Sequence, residues 1–425
     1  MTKTLAKRLL SALLCLSLAA SGLCALTGCA LKVRAADLME GVTAGSASGR
    51  APDNRFTSAA ADFAVKLFRQ SQNGGESVLV SPLSVMLALV MTANGADGQT
   101  RAEMERLLGG DVPLDELNEY LLTYVKSLVE RNGSDKTRVS IANSIWFRDR
   151  NFTVERDFLQ TNADYFGAAA YKSAFDRQTV DDINRWVRAN TDGLVDKMID
   201  EINDDAVMFL INTVLFDAEW QEIYEKGDVH KATFTTADGQ TRTADFMNST
   251  ESYYLDDGRA SGFVKRYKGG YSFVALLPNP DESLADYVAS MTGESFLATL
   301  KNAKSDGVVY ASLPKFSYEC SLTLNDTLKS LGATTAFDPL NADFSRLGHV
   351  VGGNIWIDKV LHKTKITVGE KGTKAGAVTS IEMVGKGAMQ PTVYKVTLDR
   401  PFVYAIIDDA TRLPLFIGTV TDVGK

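Results

Sequence analysis

Between residues 369 and 390 the chain reads Gly369-Glu370-Lys371-Gly372-Thr373-Lys374-Ala375-Gly376-Ala377-Val378-Thr379-Ser380-Ile381-Glu382-Met383-Val384-Gly385-Lys386-Gly387-Ala388-Met389-Gln390. By composition this is a loop, and a loop of about 20 residues in a compact domain usually carries function. From Thr373, however, alternate positions are Thr373, Ala375, Ala377, Thr379, Ile381 and Met383, small at first and then apolar. The intervening positions are mostly polar or small. A period of two is the signature of a strand with one inward face. Small residues at the leading end let such a segment slip between neighbouring strands, and Gly369 and Gly372 supply backbone freedom at its base.

Outward from this stretch, the C-terminal half reads as strands at 263–277, 308–318, 354–368 and 392–420, with Val207 to Phe216 as a central strand. The N-terminal half is richer in helices. Phe56, Ala60, Phe63, Ala64, Leu67 and Phe68 recur near the 3.6 spacing of an amphipathic helix, and further helical patterns lie at 100–131 and 180–199. Ser81-Pro82 opens a helix that is apolar nearly all round from Val85 to Met91, so it is expected inside the core. No Pro-rich or Gly/Ser-rich linker separates the halves, which favours one mixed α+β domain over two.

Composition narrows the function. The 425 residues include 45 Lys and Arg against 53 Asp and Glu, a net charge of −8 that makes nucleic acid a poor partner. The three histidines, His230, His349 and His362, form no local metal motif, and neither a G-x-S-x-G elbow nor a phosphate loop is present. No cofactor, metal or catalytic residue is therefore expected. An extracellular hydrolase would need a convergent nucleophile and base for which only these histidines are available.

At the N-terminus, Lys3, Lys7 and Arg8 precede the apolar run Leu9 to Leu26, the layout of an export signal. Leu26-Thr27-Gly28-Cys29 resembles the bacterial lipobox, which implies that residues 1–28 are removed and that Cys29 carries lipid. Without the signal's three cations the balance is 42 against 53, a charge of −11. Residues 29–53 are then expected to be a lipid-anchored flexible tether, because 40–52 is rich in Gly, Ser and Ala. Cys15 and Cys24 leave with the signal, so Cys320 is the sole cysteine in the folded part and no intrachain disulfide is expected.

The loop resembles the hinge and reactive loop of the serpins. Glu370, Gly372, Thr373, Ala375, Ala377 and Thr379 match that pattern, while Lys371, Lys374, Gly376 and Val378 depart from it. Further matches follow in order: Ser81-Pro82-Leu83-Ser84, Gly95-Ala96-Asp97-Gly98, Asn143-Ser144-Ile145-Trp146-Phe147, Ile211-Asn212-Thr213-Val214-Leu215-Phe216 with Trp220, Leu313-Pro314-Lys315-Phe316 and Asp399-Arg400-Pro401-Phe402. The resemblance implies a single α+β domain over 54–425, with about nine helices around three β-sheets and an exposed loop at about 370–392. It also implies a one-use inhibitor of serine, less often cysteine, proteases.

Carried over residue by residue, the resemblance puts the reactive bond at Lys386-Gly387, and a cation there suits a trypsin-like protease. Fifteen positions separate Lys386 from Pro401, longer than the family's usual spacing, so Met383, Gly385 and Met389 stay open as cleavage sites. Ser81, Ser84, Asn212 and His362 match a buried polar cluster beneath the opening sheet. Glu370 and Lys315, with Trp220, match the group at the top of that sheet. The expected protein is a monomer on the outer surface of the cell, held to its membrane by the lipid on Cys29. The alternative is a non-inhibitory binding or scaffold protein of the same fold, cleaved as a simple substrate.

Overall fold

The computed structural model describes residues 33–131, 136–203, 206–373 and 392–424. Helix Asn54–Gln70 starts where the Asp53 side chain accepts the Phe56 N–H at 3.0 Å, and its Phe56, Ala60, Phe63, Ala64, Leu67 and Phe68 are all buried. Ser81 caps helix Pro82–Ala93 in the same way, with Pro82 in the first turn. Nearly every residue of that second helix is buried, so it runs through the interior with no polar face. Nine α-helices are present among the described residues. The pattern at 100–131 resolves into two of them, Gly98–Gly109 and Leu114–Glu130.

The largest sheet has seven strands, in chain order β1 (Ala36–Asp37), β2 (Thr137–Arg148), β3 (Ala169–Ser173), β4 (Met208–Glu219), β5 (Phe316–Thr323), β6 (Leu361–Gly369) and β7 (Gly372–Thr373). Their order across the sheet is β1-β3-β2-β4-β7-β6-β5. β2 and β4 form a long antiparallel pair from Phe147 opposite Met208 at one end to Thr137 opposite Ala218 at the other. β5 and β6 form a second pair, from Thr323 opposite Leu361 to Phe316 opposite Val368. Behind lies a six-stranded sheet whose strands Tyr271–Pro278, Phe402–Asp408 and Pro414–Val420 are buried throughout. A four-stranded sheet, begun at its edge by Thr392–Thr397, and a two-stranded ribbon complete the β-structure among the described residues.

The expected tether is not free along its length. From Ala36 it is part of the domain: β1 pairs with β3, Ala36 opposite Lys172 and Asp37 opposite Tyr171, and the Leu38 N–H donates to Ala170 O at 2.9 Å. Leu38, Met39 and Val42 then pack on the core. Gly45 N–H donates to Asp164 Oδ1 at 2.6 Å, and Arg50 pairs with Glu116 and Glu119 while lying 5.3 Å from the Tyr120 ring centre. The physical reason is an open sheet edge at β3, which binds backbone whatever its side chains are. Two further differences are boundaries: helix Arg177–Asn190 stops well short of 199, and β6 begins only at Leu361.

Candidate functional site

The centre of the seven-stranded sheet is where the loop segment begins to enter. Among the described residues β7 holds Gly372 and Thr373, paired with Glu219 and Ala218 of β4 on one side and with Gly369 and Val368 of β6 on the other. Gly372 has φ +143°, and a Cβ there would stand 2.1 Å from Ala218 O, so only glycine fits between the strands. Below this point, among the described residues, no hydrogen-bonded register joins β4 to β6. The two strands flank a slot instead. It is lined by Asn212, Thr213 and Val214 from β4 and by His362 to Lys365 from β6, with Leu194, Val195 and Met198 also on its wall. Its free volume is about 20 Å³, room for a single water.

The head of the slot is densely bonded. Trp220, fully buried, donates its indole N–H to Gly369 O at 2.9 Å and its backbone N–H to Lys371 O at 3.0 Å. It stacks on Tyr267 with ring centres 4.1 Å apart, and the Tyr267 and Thr373 hydroxyls are hydrogen-bonded at 2.7 Å. Lys315 and Glu370 form an ion pair, and the hydrogen bond from Lys315 holds the Glu370 carboxyl below its ordinary pKa. Asp245 lies 3.7 Å from the same ammonium. Burial works against the charge of Glu219, yet hydrogen bonds from Lys268 and Lys136 outweigh it and keep this carboxyl ionised to lower pH as well.

Beneath the slot a polar cluster touches both flanks. The Ser84 hydroxyl donates to Asn212 Oδ1 on β4, and Asn212 in turn donates to Asn143 Oδ1 on β2. On the β6 side, the Ser81 N–H donates to His362 Nε2 at 2.9 Å. His362 is buried and accepts at Nε2, so the neutral ring carries its proton on Nδ1; desolvation pushes its pKa down to about 4. Helix Pro82–Ala93 therefore grips β4 and β6 separately, through its cap and its first turn. A strand inserted between them need not displace the helix.

Ser81, Ser84, Asn212 and His362 are thus brought together, as are Glu370, Lys315 and Trp220, and Gly372 and Thr373 lie at the head of the slot. Cys29, Ala375, Ala377, Thr379, Lys386 and Gly387 lie outside the described residues. Sequence reasoning missed Tyr267, which anchors Thr373, and Glu219 with its two lysines. It also missed Lys265, a buried cation 2.9 Å from Glu251 and 4.3 Å above the Tyr224 ring. A Lys at an inward position of the alternating strand Ala260–Arg266 was the one available signal. Cys320 is buried in β5 and burial raises its thiol pKa, which suits packing and not nucleophilic chemistry.

The comparisons agree with this geometry. The family model described as serpin (serine protease inhibitor) matches residues 58–423. The crystal structure of a thermophilic serpin, tengpin, in its native state superposes with a TM-score of 0.87 at 49% identity, covering 92% of this chain and all of that one. The latent state of tengpin gives 0.79 at the same identity, covering 88% and 100%. An uncharacterised serpin-like protein of Thermococcus kodakarensis is 28% identical over 367 residues, 84% of this chain and 83% of its own. The plasma serine protease inhibitor of Mus musculus is 28% identical over 370 residues, 85% and 89% of the two chains.

Proposed function

The chain belongs to the serpin family, and on that premise we propose that it is a suicide-substrate inhibitor of trypsin-like serine proteases, held at the cell surface by an acylated Cys29. Family membership supports protease inhibition of the serpin type in general, and serpins are mostly inhibitors and not catalysts. The observation that supports the finer reading is β7, Gly372 and Thr373, standing at the head of a slot whose flanks share no register below it among the described residues.

In this reading the protease serine attacks the Lys386 carbonyl carbon. The Lys386–Gly387 C–N bond breaks, Gly387 leaves as the protonated amine, and Lys386 is left as an ester on the enzyme. Released from its distal attachment, the segment after Thr373 follows it into the slot, and the acyl-enzyme is carried along before water can deacylate it. Insertion satisfies the facing backbone groups of β4 and β6 and buries the inward face of the loop, so the uncut state is metastable with respect to it. Small residues at Ala375 and Ala377 suit the inward positions that follow Thr373.

A protease panel scored for SDS-stable complexes tests this. A trypsin-like enzyme should give a covalent complex and release a peptide beginning at Gly387, and Lys386→Ala should remove the complex. Ala375→Arg would drive an unpaired cation beneath the closing sheet, so it should be cut at the parent's rate without trapping the protease. Equal complex yield from Ala375→Arg and the parent would overturn insertion, and no complex with any protease would overturn inhibition itself.

A further inference from the structure

The position at which the N-terminal segment joins the sheet, taken with the exposed side chains around it, defines a face of the molecule at the end of the sheet opposite Gly372 and Thr373. We infer that the end of the seven-stranded sheet opposite the hinge is a lipid-facing surface, resting on the bilayer through Leu340 and Val351, with Gly372 and Thr373 at the far end of the sheet. This rests on the acylation of Cys29 proposed above.

Three observations meet here. The first is where the chain joins the domain. Ala36 lies beside Lys172, at the end of the sheet where Phe147 faces Met208, and Lys172 Nζ donates to Phe152 O at 3.2 Å just beyond that end. The hinge is at the other end, beside Glu219. β4 spans the distance with 12 residues, roughly 36 Å at about 3.3 Å per residue.

The second is the length of chain between the lipid and the fold. From Cys29 to Ala36 there are seven Cα–Cα steps, about 25 Å at full extension. A tether that short keeps the Ala36 end within about 25 Å of the bilayer, while the hinge end lies roughly 36 Å further along the sheet. Had residues 38–53 been free, as their composition suggests, no orientation would follow.

The third is the surface itself. Leu340 at 86% and Val351 at 79% are the two most exposed of the large apolar side chains among the described residues. Both belong to this end. The Val351 N–H donates to Asn151 O at 2.9 Å, beside Phe152, while the Asn354 side chain donates to Pro339 O at 3.2 Å and so ties the Leu340 turn to the same loop. Arg150, next to Asn151, and Lys359, two residues before β6, are exposed, while the Asp338 carboxylate accepts the Leu340 N–H at 2.8 Å. Apolar side chains that enter the headgroup boundary add a second attachment to the acyl chains.

The test uses the full lipoprotein in vesicles of phosphatidylethanolamine and phosphatidylglycerol doped with a nickel-chelating lipid. Nitroxides are placed by Val351→Cys and, near the hinge, by Lys226→Cys; Cys320 is buried and the unsubstituted protein gives the labelling background. Relaxation enhancement should be at least severalfold greater at 351 than at 226. Equal enhancement, or the reverse order, overturns the orientation. Complex formation with a trypsin-like protease confirms that each variant is folded. Mass spectrometry of the N-terminal peptide separates the two readings: an unacylated Cys29 removes the anchor and this surface together, whereas an acylated Cys29 with equal labels removes the surface alone.

Discussion

At its outer edge the seven-stranded sheet has taken in a strand from its own N-terminal segment, whereas at its centre, among the described residues, no strand pairs with β4 and β6 below Thr373. The edge is closed by two residues of β1 and by contacts that run on to Arg50. Among the described residues the centre is closed at its head, by Trp220, Tyr267 and the Lys315–Glu370 pair. An edge strand is a hazard when left open, because any other chain can add to it. A central slot is a reservoir, because filling it satisfies two rows of backbone groups at once. The molecule satisfies the first and keeps the second.

The largest effect expected from this contrast is that of filling the slot. Ten residues of β4, Met208 to Asp217, lie below β7, and about 1 kcal/mol for each backbone hydrogen bond gained gives on the order of 10 kcal/mol. Cleaving the loop near Lys386 should therefore raise Tm by about 15 °C or more, read by circular dichroism before and after nicking. An unchanged Tm would mean that the slot does not receive the loop.

Next in size is the response of the slot to acid. His362 has a folded pKa of about 4 against about 6.5 in the unfolded chain, so between those values the unfolded chain binds a proton that the native one refuses. Stability is complete above about pH 6.5, falls as the pH drops toward 4, and should lose roughly 3 kcal/mol over that interval. Protonated Nε2 can no longer accept the Ser81 N–H, which frees the β6 flank. His362→Gln keeps an acceptor but does not titrate, so its denaturant midpoint should be flatter with pH than the parent's across this window. Parallel profiles would assign the acid sensitivity elsewhere, and not to Glu370, because a carboxyl with a lowered pKa keeps its contribution down to its ordinary value and loses it as the pH falls from there through the lowered one.

Much of the slot was legible in the sequence and much of the edge was not, for physical reasons. The alternation of small residues after Gly372 is plain in the sequence, although beyond Thr373 it lies outside the described residues, and the apolar helix after Pro82 reports its own burial. Ser81, Ser84, Asn212 and His362 needed the family resemblance, because nothing local says that a cap, a strand and a histidine distant in sequence converge. Tyr267 was silent, being one aromatic just past the end of the strand Ala260–Arg266. The strap over Leu38 to Arg50 was misread because its binding energy comes from β3 carbonyls and from Glu116, Glu119 and Asp164, none of them near it in sequence. Gly and Ser composition describes the freedom of an isolated segment and not the edge waiting for it.

Removing the strap is the matching test at the edge. A chain beginning at Ala51 loses the β1 pairing and the contacts of Leu38, Met39 and Val42, which are only half buried, so a loss of about 2 kcal/mol is expected by chemical denaturation. Complex yield with protease should stay near that of the parent at first, since the slot is untouched. If the truncated chain instead loses inhibition at once, edge and centre are coupled, and the contrast drawn above is too sharp.

The smallest effect probes a single atom in the slot. Thr213 is buried on β4 opposite Ala142 and lines the slot, and its Oγ1 has no hydrogen-bond partner among the described residues. A buried hydroxyl without a partner costs about 1–3 kcal/mol, part of which returns when it is replaced by a methyl group of similar shape. Valine is also β-branched and keeps the strand preference of threonine. Thr213→Val should therefore stabilise the uncut protein by about 1 kcal/mol, a gain measurable as a shift in denaturant midpoint at constant slope. The loop-cleaved form should gain less, because an inserted strand brings backbone groups within reach of the native hydroxyl. If the uncut variant is destabilised instead, the hydroxyl is already bonded in the native protein, and the slot at that level is closed, as the edge is.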